Sequence, residues 1–310
     1  MIEEIKIRST VEWHRHRARD VTASVVGALL DCHEFVTRFD LWAQKSGIAG
    51  DADLDENEAI RRGRLLEPVG VQILRELRPD WQIAHNTGRS TIYYRDGDFR
   101  LGATPDVIAI DPVRGKGIVQ LKSVEPSTFR RKWQPDDGPI EPPLWIALQA
   151  TIEGYLTGSS WAAVAPIVVG HGIRMPIIDV PILPGVVERL QEESLAFWQS
   201  VADGEAPAAD YSRDADTIER MYSSDDGEEI DLSRDNRVLD LIVKHHVLRQ
   251  AAKATAAELA AVDAEIKHKM AGATIGHLAG GQKITWRQQR RAAFHAPASL
   301  IRVLRVPPPE

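Results

Sequence analysis

With 310 residues and 43% hydrophobic content, the chain can bury one large core, or a core domain with an appendage, which excludes a disordered polypeptide. A net charge of -7 excludes a protein that coats nucleic acid without specificity but leaves room for a local basic stripe. The single cysteine, Cys32, excludes an internal disulfide framework and a thiolate zinc site; it reads as a small buried hydrophobe in a reducing cytosol.

The start, MIEEIKIRSTVEW, lacks the apolar run of a signal peptide, and no later segment approaches the roughly 18 apolar residues of a membrane span. A soluble cytoplasmic protein is expected. Arg8, Arg15, Arg17 and Arg19 cluster near the start, Arg130, Arg131 and Lys132 further on, and WRQQRR near the end. Acidic runs at 51–58 and 225–231 balance them, and each run taken singly also reads as a solvated face. VTASVVGALL predicts a loop entering a helix near Ser24, where a first turn offers backbone donors to an anion. EFVTRFDLWAQKSG continues as helix to about Gly47, with a loop over the acidic stretch that follows. NEAIRRGRLLEPVGVQILRELRP reads as a long helix that turns Ile60, Leu65, Val69, Ile73, Leu74 and Leu77 inward and stops before Pro79.

From Trp81 the period becomes two, and the stretch to Val124 predicts three or so antiparallel strands. PPLWIALQATIEGYLTG returns to helical spacing, and WAAVAPIVVG and IRMPIIDVPI read as two strands around a GHG turn. An amphipathic helix then ends near Gly204. The order predicts an α/β or α+β core, a mixed central sheet flanked by helices, over 1–205. A Pro/Ala/Asp-rich linker is expected over 206–232, and a C-terminal helical extension with a short strand over 233–310.

Chemistry concentrates in GATPDVIAIDPVRGKGIVQLKS. On an extended strand Gln120 and Lys122 face one side while Val119 and Leu121 face the other, and a turn near Val113–Gly117 brings Asp106 beside the pair. Alone, that is also the pattern of a surface ion pair. Phosphodiester cleavage needs a divalent cation and a group that orients or deprotonates water. Asp106 and the Leu121 carbonyl are candidate ligands, Lys122 the candidate group near water, Glu67 a ligand through a metal-bound water, and Gln149 a positioner of water or phosphate.

The ordered set GRLLEP, GATPDVI, VQLKS and a following helix with Gln149 resembles the PD-(D/E)xK nuclease superfamily. The likeness is to the phage recombinase branch of YqaJ-type proteins and lambda exonuclease, and it covers about 10–205. WHRHRARDVTAS resembles that branch's opening motif, W-x-x-x-R-x-x-x-I-T-A-S. The resemblance implies a restriction-endonuclease-like fold and puts Glu67, Asp106, Gln120, Lys122 and Gln149 on catalytic positions. Asp106, Gln120, Leu121 and Glu67 fall on the metal site, and Arg17 with Ser24 on a pocket for the DNA 5′ phosphate. Asp96 and Arg100, in YRDGDFR, are read either as lining the DNA groove or as hairpin-turn residues; Trp133, Trp145 and Trp161 are expected to flank the site as core or groove walls. His14 and His16 are read as phosphate contacts or exposed filler, and His245 and His246 as surface residues.

Gln120 departs from the common acidic ligand: an amide oxygen can bind Mg²⁺, with Mn²⁺ as substitute, but brings no charge. The implied activity is a 5′-to-3′ exonuclease on linear duplex ends, with a single-strand annealing protein as partner and a homo-oligomeric ring as assembly. A same-fold structure-selective endonuclease and a catalytically inactive DNA-end-binding protein are the competing readings.

Overall fold

The structure is a computed structural model and describes residues 1–49, 58–134, 138–290 and 302–308. The loop expected over the acidic run lies outside the described residues, apart from Glu58. The chain divides into two compact units, 1–221 and 222–310.

The first unit opens on strand β1 (Ile2–Lys6) and helix α1 (Thr10–Arg19). The basic segment is therefore helical. Its cap is legible afterwards: the Ser9 hydroxyl accepts from the Glu12 amide, and the Glu12 carboxylate accepts from that of Arg8. Strand β2 (Val21–Thr22) leads into a 3₁₀ helix, Ala23–Leu30, where the sequence predicts an α-helical start. The expected continuation breaks, and α2 covers only Arg38–Lys45. The break has a cause at His33, whose Nδ1 accepts from the amides of Phe35 and Val36 and so takes donors that a helix would use.

Helix α3 (Glu58–Leu77) has the expected extent but a different inner face. Gly70, Val71 and Leu74 are buried, while Leu65, Val69 and Leu77 are exposed. The apolar residues of α3 form more than one stripe, and the sheet contact selects the one through Val71 and Leu74.

Residues 81–124 give five strands rather than three: β3 (Gln82–His85), β4 (Ile92–Asp96), β5 (Leu101–Ala103), β6 (Val107–Asp111) and β7 (Gly115–Val124). They belong to two sheets. Asn86 marks the crossing, since its amide donates to the carbonyls of Ile92 and Pro105 and accepts from the Ile92 amide. There follow α4 (Pro126–Lys132), α5 (Leu144–Thr157), β8 (Trp161–Val169), β9 (Ile173–Arg174), β10 (Ile178–Val180), α6 (Pro184–Asp203) and α7 (Ala215–Met221). The second expected strand after α5 is thus divided. Within the stretch read as a linker, α7 docks on α2 through bonds from Thr37 to Asp214 and from Thr217 to Asp40.

One sheet has the order β1-β4-β5-β2; the other runs β10-β8-β7-β6-β3, with β9 on β8. The pairs β7–β8 and β2–β5 are parallel and the rest antiparallel. This is a mixed α/β fold with mixed sheets flanked by helices. Strand β8 is apolar and buried along nearly its whole length, as a central strand covered on both faces must be. Val71 and Leu74 of α3 cover Val119, Leu121, Ala163 and Ala165 on one face. Ile146 and Ala150 of α5 cover Ile118, Ala162 and Val164 on the other. The far side of α5, Leu148, Ile152 and Leu156, packs on Tyr94, Leu101 and the 3₁₀ helix. That helix approaches closely because residue 27 is glycine: a Cβ there would stand 2.9 Å from that of Trp145.

In the second unit, α8 (Asn236–Met270) is the long helix expected, and β11 (Ile275–His277) pairs with β12 (Lys283–Thr285). No described helix is long and apolar enough to cross a membrane.

Candidate active site

The β6–β7 hairpin sets the first geometry. Val107 pairs with Val119, so Asp106, one residue before the strand, stands opposite Gln120. Its Oδ2 accepts from the Leu121 amide at 2.8 Å and from Gln120 Nε2 at 2.6 Å. Strand alternation turns Gln120 and Lys122 toward α5. Lys122 Nζ donates to Gln149 Oε1 at 2.8 Å, and Gln149 Nε2 donates to Glu153 Oε1 at 2.8 Å. Glu67 comes from α3, where its Oε1 lies 2.6 Å from His85 Nε2. His85 pairs with Val107, and the next amide, Asn86, donates to the Asp106 carbonyl. Asp106 with Gln120, and Lys122 with Gln149 and Glu153, therefore form two hydrogen-bonded sets side by side on β7, with Glu67 at the same strand end.

Burial and mutual repulsion shape the charges. Desolvation raises the Asp106 pKa and Glu67 raises it further, against the opposing pull of Lys122. Desolvation lowers that of Lys122, against Asp106, Glu153 and Glu67. Burial, then Asp106, raises that of Glu153. Such opposed shifts in one cleft are characteristic of a functional site.

The donor set suits a hard divalent cation: two carboxylates, an amide oxygen and a backbone carbonyl, all oxygen. The Gln120 Oε1 atom is buried without a protein partner, while Nε2 faces Asp106 Oδ2 and the Leu121 carbonyl, so the amide would turn over to present its oxygen beside those two. Among the described residues no three His, Cys, Asp or Glu side chains form a metal-binding group. A cavity of about 940 Å³ opens beside Lys122, walled by Phe35, Arg62, Leu65 and Trp145.

A second group lies across Trp145. Arg17 Nη2 donates to Ser24 Oγ at 3.3 Å and its guanidinium stacks 4.3 Å over Trp13. Among the described residues no carboxylate pairs with Arg17, and burial works against its charge. Asp20, fully buried, accepts from Tyr93 and Arg95 and so ties the end of α1 to β4. His33 Nε2 meets the Ser24 carbonyl at 3.1 Å, and its ring lies 4.6 Å from that of Trp145. Lys122 Nζ is 5.7 Å from the same tryptophan ring, so the two groups adjoin.

Residues 12–160, which hold both groups, match the family model of the YqaJ-like viral recombinase domain. That match spans just under half of the chain. The chain is 21% identical over 279 residues to the uncharacterized protein YqaJ of Bacillus subtilis strain 168, covering 89% of this chain and 82% of that one. Among solved structures it is similar to an alkaline exonuclease from Laribacter hongkongensis, at 17% identity over 67% of this chain and all of the other, with a TM-score of 0.46. It is also similar to a phage related exonuclease from Haemophilus somnus 129PT, at 12% identity over 59% and 94% of the two chains, with a TM-score of 0.42.

Not every residue singled out in the sequence lies in these two groups. Asp96 is turned inward and accepts from the Tyr155 hydroxyl at 2.6 Å. Arg100 donates to the Arg19 carbonyl and lies 3.3 Å over Trp198. Asp96 closes β4, and Arg100 is the last residue of the turn before β5. Trp133 is core, stacked on Phe129, and Trp161 packs on Trp81 at the hairpin end of β7; only Trp145 borders Lys122. His14 is exposed against Trp13, and His16 lies against Tyr93. Sequence reasoning missed His85, His33 and Glu153. For Glu153 a signal existed, since it lies four residues after Gln149 and must share its helix face.

Proposed function

We propose that this protein is a metal-dependent nuclease that degrades linear duplex DNA from its 5′ end in phage-type recombination. One observation carries the reading: β7 brings Gln120, bonded to Asp106, and Lys122, bonded to Gln149 of α5, side by side at an open cavity. The match of residues 12–160 to the YqaJ-like viral recombinase domain supports it.

Asp106, the Gln120 amide oxygen, the Leu121 carbonyl and Glu67 would hold Mg²⁺, or Mn²⁺ in its place. Such a cation, when bound, stabilises charge on the scissile phosphate and lowers the pKa of an attacking water. Lys122 orients that water and accepts its proton; desolvation, by favouring the neutral amine, makes it a better base. Gln149 fixes the direction of the Lys122 side chain. Arg17 and the Ser24 hydroxyl would receive the terminal 5′ phosphate, an anion that answers a cation with no carboxylate partner among the described residues. Self-association into a ring, and delivery of the remaining strand to a single-strand annealing protein, belong to the same proposal.

The test is digestion of a 5′-phosphorylated linear duplex beside a covalently closed circle, in Mg²⁺ and in Mn²⁺. Only the linear substrate is expected to disappear, with Asp106→Ala and Lys122→Ala each slowing the reaction by about 10²-fold or more. Arg17→Ala is expected to narrow the preference for 5′-phosphorylated over 5′-hydroxyl ends by about 10- to 100-fold, the worth of a hydrogen bond to a charged group. Cutting of the circle would reassign the protein as an endonuclease of the same fold. End binding without cleavage in either metal would make it an inactive end-binding protein.

A further inference from the structure

Glu153 has no part in the chemistry above, yet it is 1% exposed in the middle of α5. A buried carboxylate is costly unless something repays its desolvation. Its Oε1 accepts from Gln149, while its Oε2 is buried without a protein partner. Across the same layer, Gln120 stands where a carboxylate is the common ligand, and its Oε1 is also buried and unpartnered. Two acceptor oxygens are therefore buried without a protein partner, one on the strand and one on the helix that Lys122 and Gln149 join.

The charges complete the argument. With Gln120 neutral, the acidic side chains that act on Lys122 are Asp106, Glu153 and Glu67, and of these only Glu153 comes from α5. The hydrogen bonds give Glu153 a directional role as well. A carboxylate only accepts, so the Gln149 NH₂ must face Glu153 and the Gln149 oxygen must face Lys122. The lysine is thereby held on α5, and among the described residues no ion pair joins it to Asp106. Asp106 is left open to a cation.

We propose that Glu153 is a positioning residue that supplies, through Gln149, the buried negative charge that Gln120 does not bring to the cation site. The inference rests on the cation-dependent reading of the preceding subsection. It places the missing charge on helix α5 instead of strand β7.

The test is binding of Mn²⁺ alone, without DNA, to the full chain, read from the loss of the free-ion paramagnetic resonance signal. Duplex digestion is measured in parallel, and melting curves show that each variant is folded. Glu153→Gln keeps shape and removes charge; it is expected to weaken Mn²⁺ binding by about 10- to 100-fold, as loss of a partner outside the ligand set does. With a carboxylate restored on β7 by Gln120→Glu, adding Glu153→Gln is expected to cost less than about threefold. This second comparison stands if the single variant does not fold. A Glu153→Gln protein that binds Mn²⁺ like the wild type would overturn the inference, as would an undiminished loss in the Gln120→Glu background. Either result, with wild type that binds Mn²⁺ and digests DNA, leaves the nuclease reading intact. Wild type that neither binds the ion nor digests DNA would overturn both.

Discussion

His33 holds the loop after Ser24 as a neutral imidazole. Two amides, of Phe35 and Val36, donate to its Nδ1, so that nitrogen carries no proton, and its Nε2 donates to the Ser24 carbonyl. Burial pushes the His33 pKa below the ordinary histidine value near 6.5, with Lys122 and Arg213 adding to the shift and Glu34 opposing it. The unfolded chain therefore takes the proton first as the pH falls. The stability His33 contributes is full above about pH 6.5 and is lost below it. His33→Ala leaves two amides unpaired and is expected to cost about 1–3 kcal/mol at pH 7.5, with a smaller cost at pH 5.5, by thermal melting beside the wild type. Asp106 and Glu153, with raised pKa values, act in the opposite sense and cancel in that comparison. Of these residues the sequence marked only Asp106. His33 reads as one polar residue in a loop, and Glu153 as one more charge on a helix, until neighbours distant in sequence bury them.

At the scale of elements, α5 and β7 carry the site, and both were legible from period. Strand alternation alone predicts that Gln120 and Lys122 share a face, and β7 has them so. The number of strands was not legible: alternation marks extended backbone without naming the partner, and Asn86 diverts the chain from one sheet to the other. The inner face of α3 was misjudged because several apolar stripes compete and only contact with β7 and β8 chooses. The hairpin depends on a glycine. A Cβ at Gly117 would stand 2.0 Å from the Trp161 ring, which is held against Trp81 and bonded to the Gly115 carbonyl and cannot yield. Gly117→Ala is expected to destabilise the protein by about 1–3 kcal/mol, measured by denaturant unfolding.

For the whole molecule, the three apolar clusters lie within residues 1–221, and within α8 only Met270 is buried. A chain ending at residue 221 is expected to keep its melting temperature within about 3 °C of the full chain, a difference below about 1 kcal/mol. A larger fall in a melting scan would mean that the second unit stabilises the first.

By itself the sequence determined the mixed α/β class, the Asp106–Gln120–Lys122 hairpin and the helix bearing Gln149, because period and motif order are local properties of the chain. Only the tertiary structure decided that β3 and β6 leave the β4–β5 sheet, that Asp96 faces inward, that His85 meets Glu67, and that Glu153 is buried on the chain of bonds from Lys122. Burial and long-range pairing join residues far apart along the chain, and no local pattern encodes which of several compatible faces will meet.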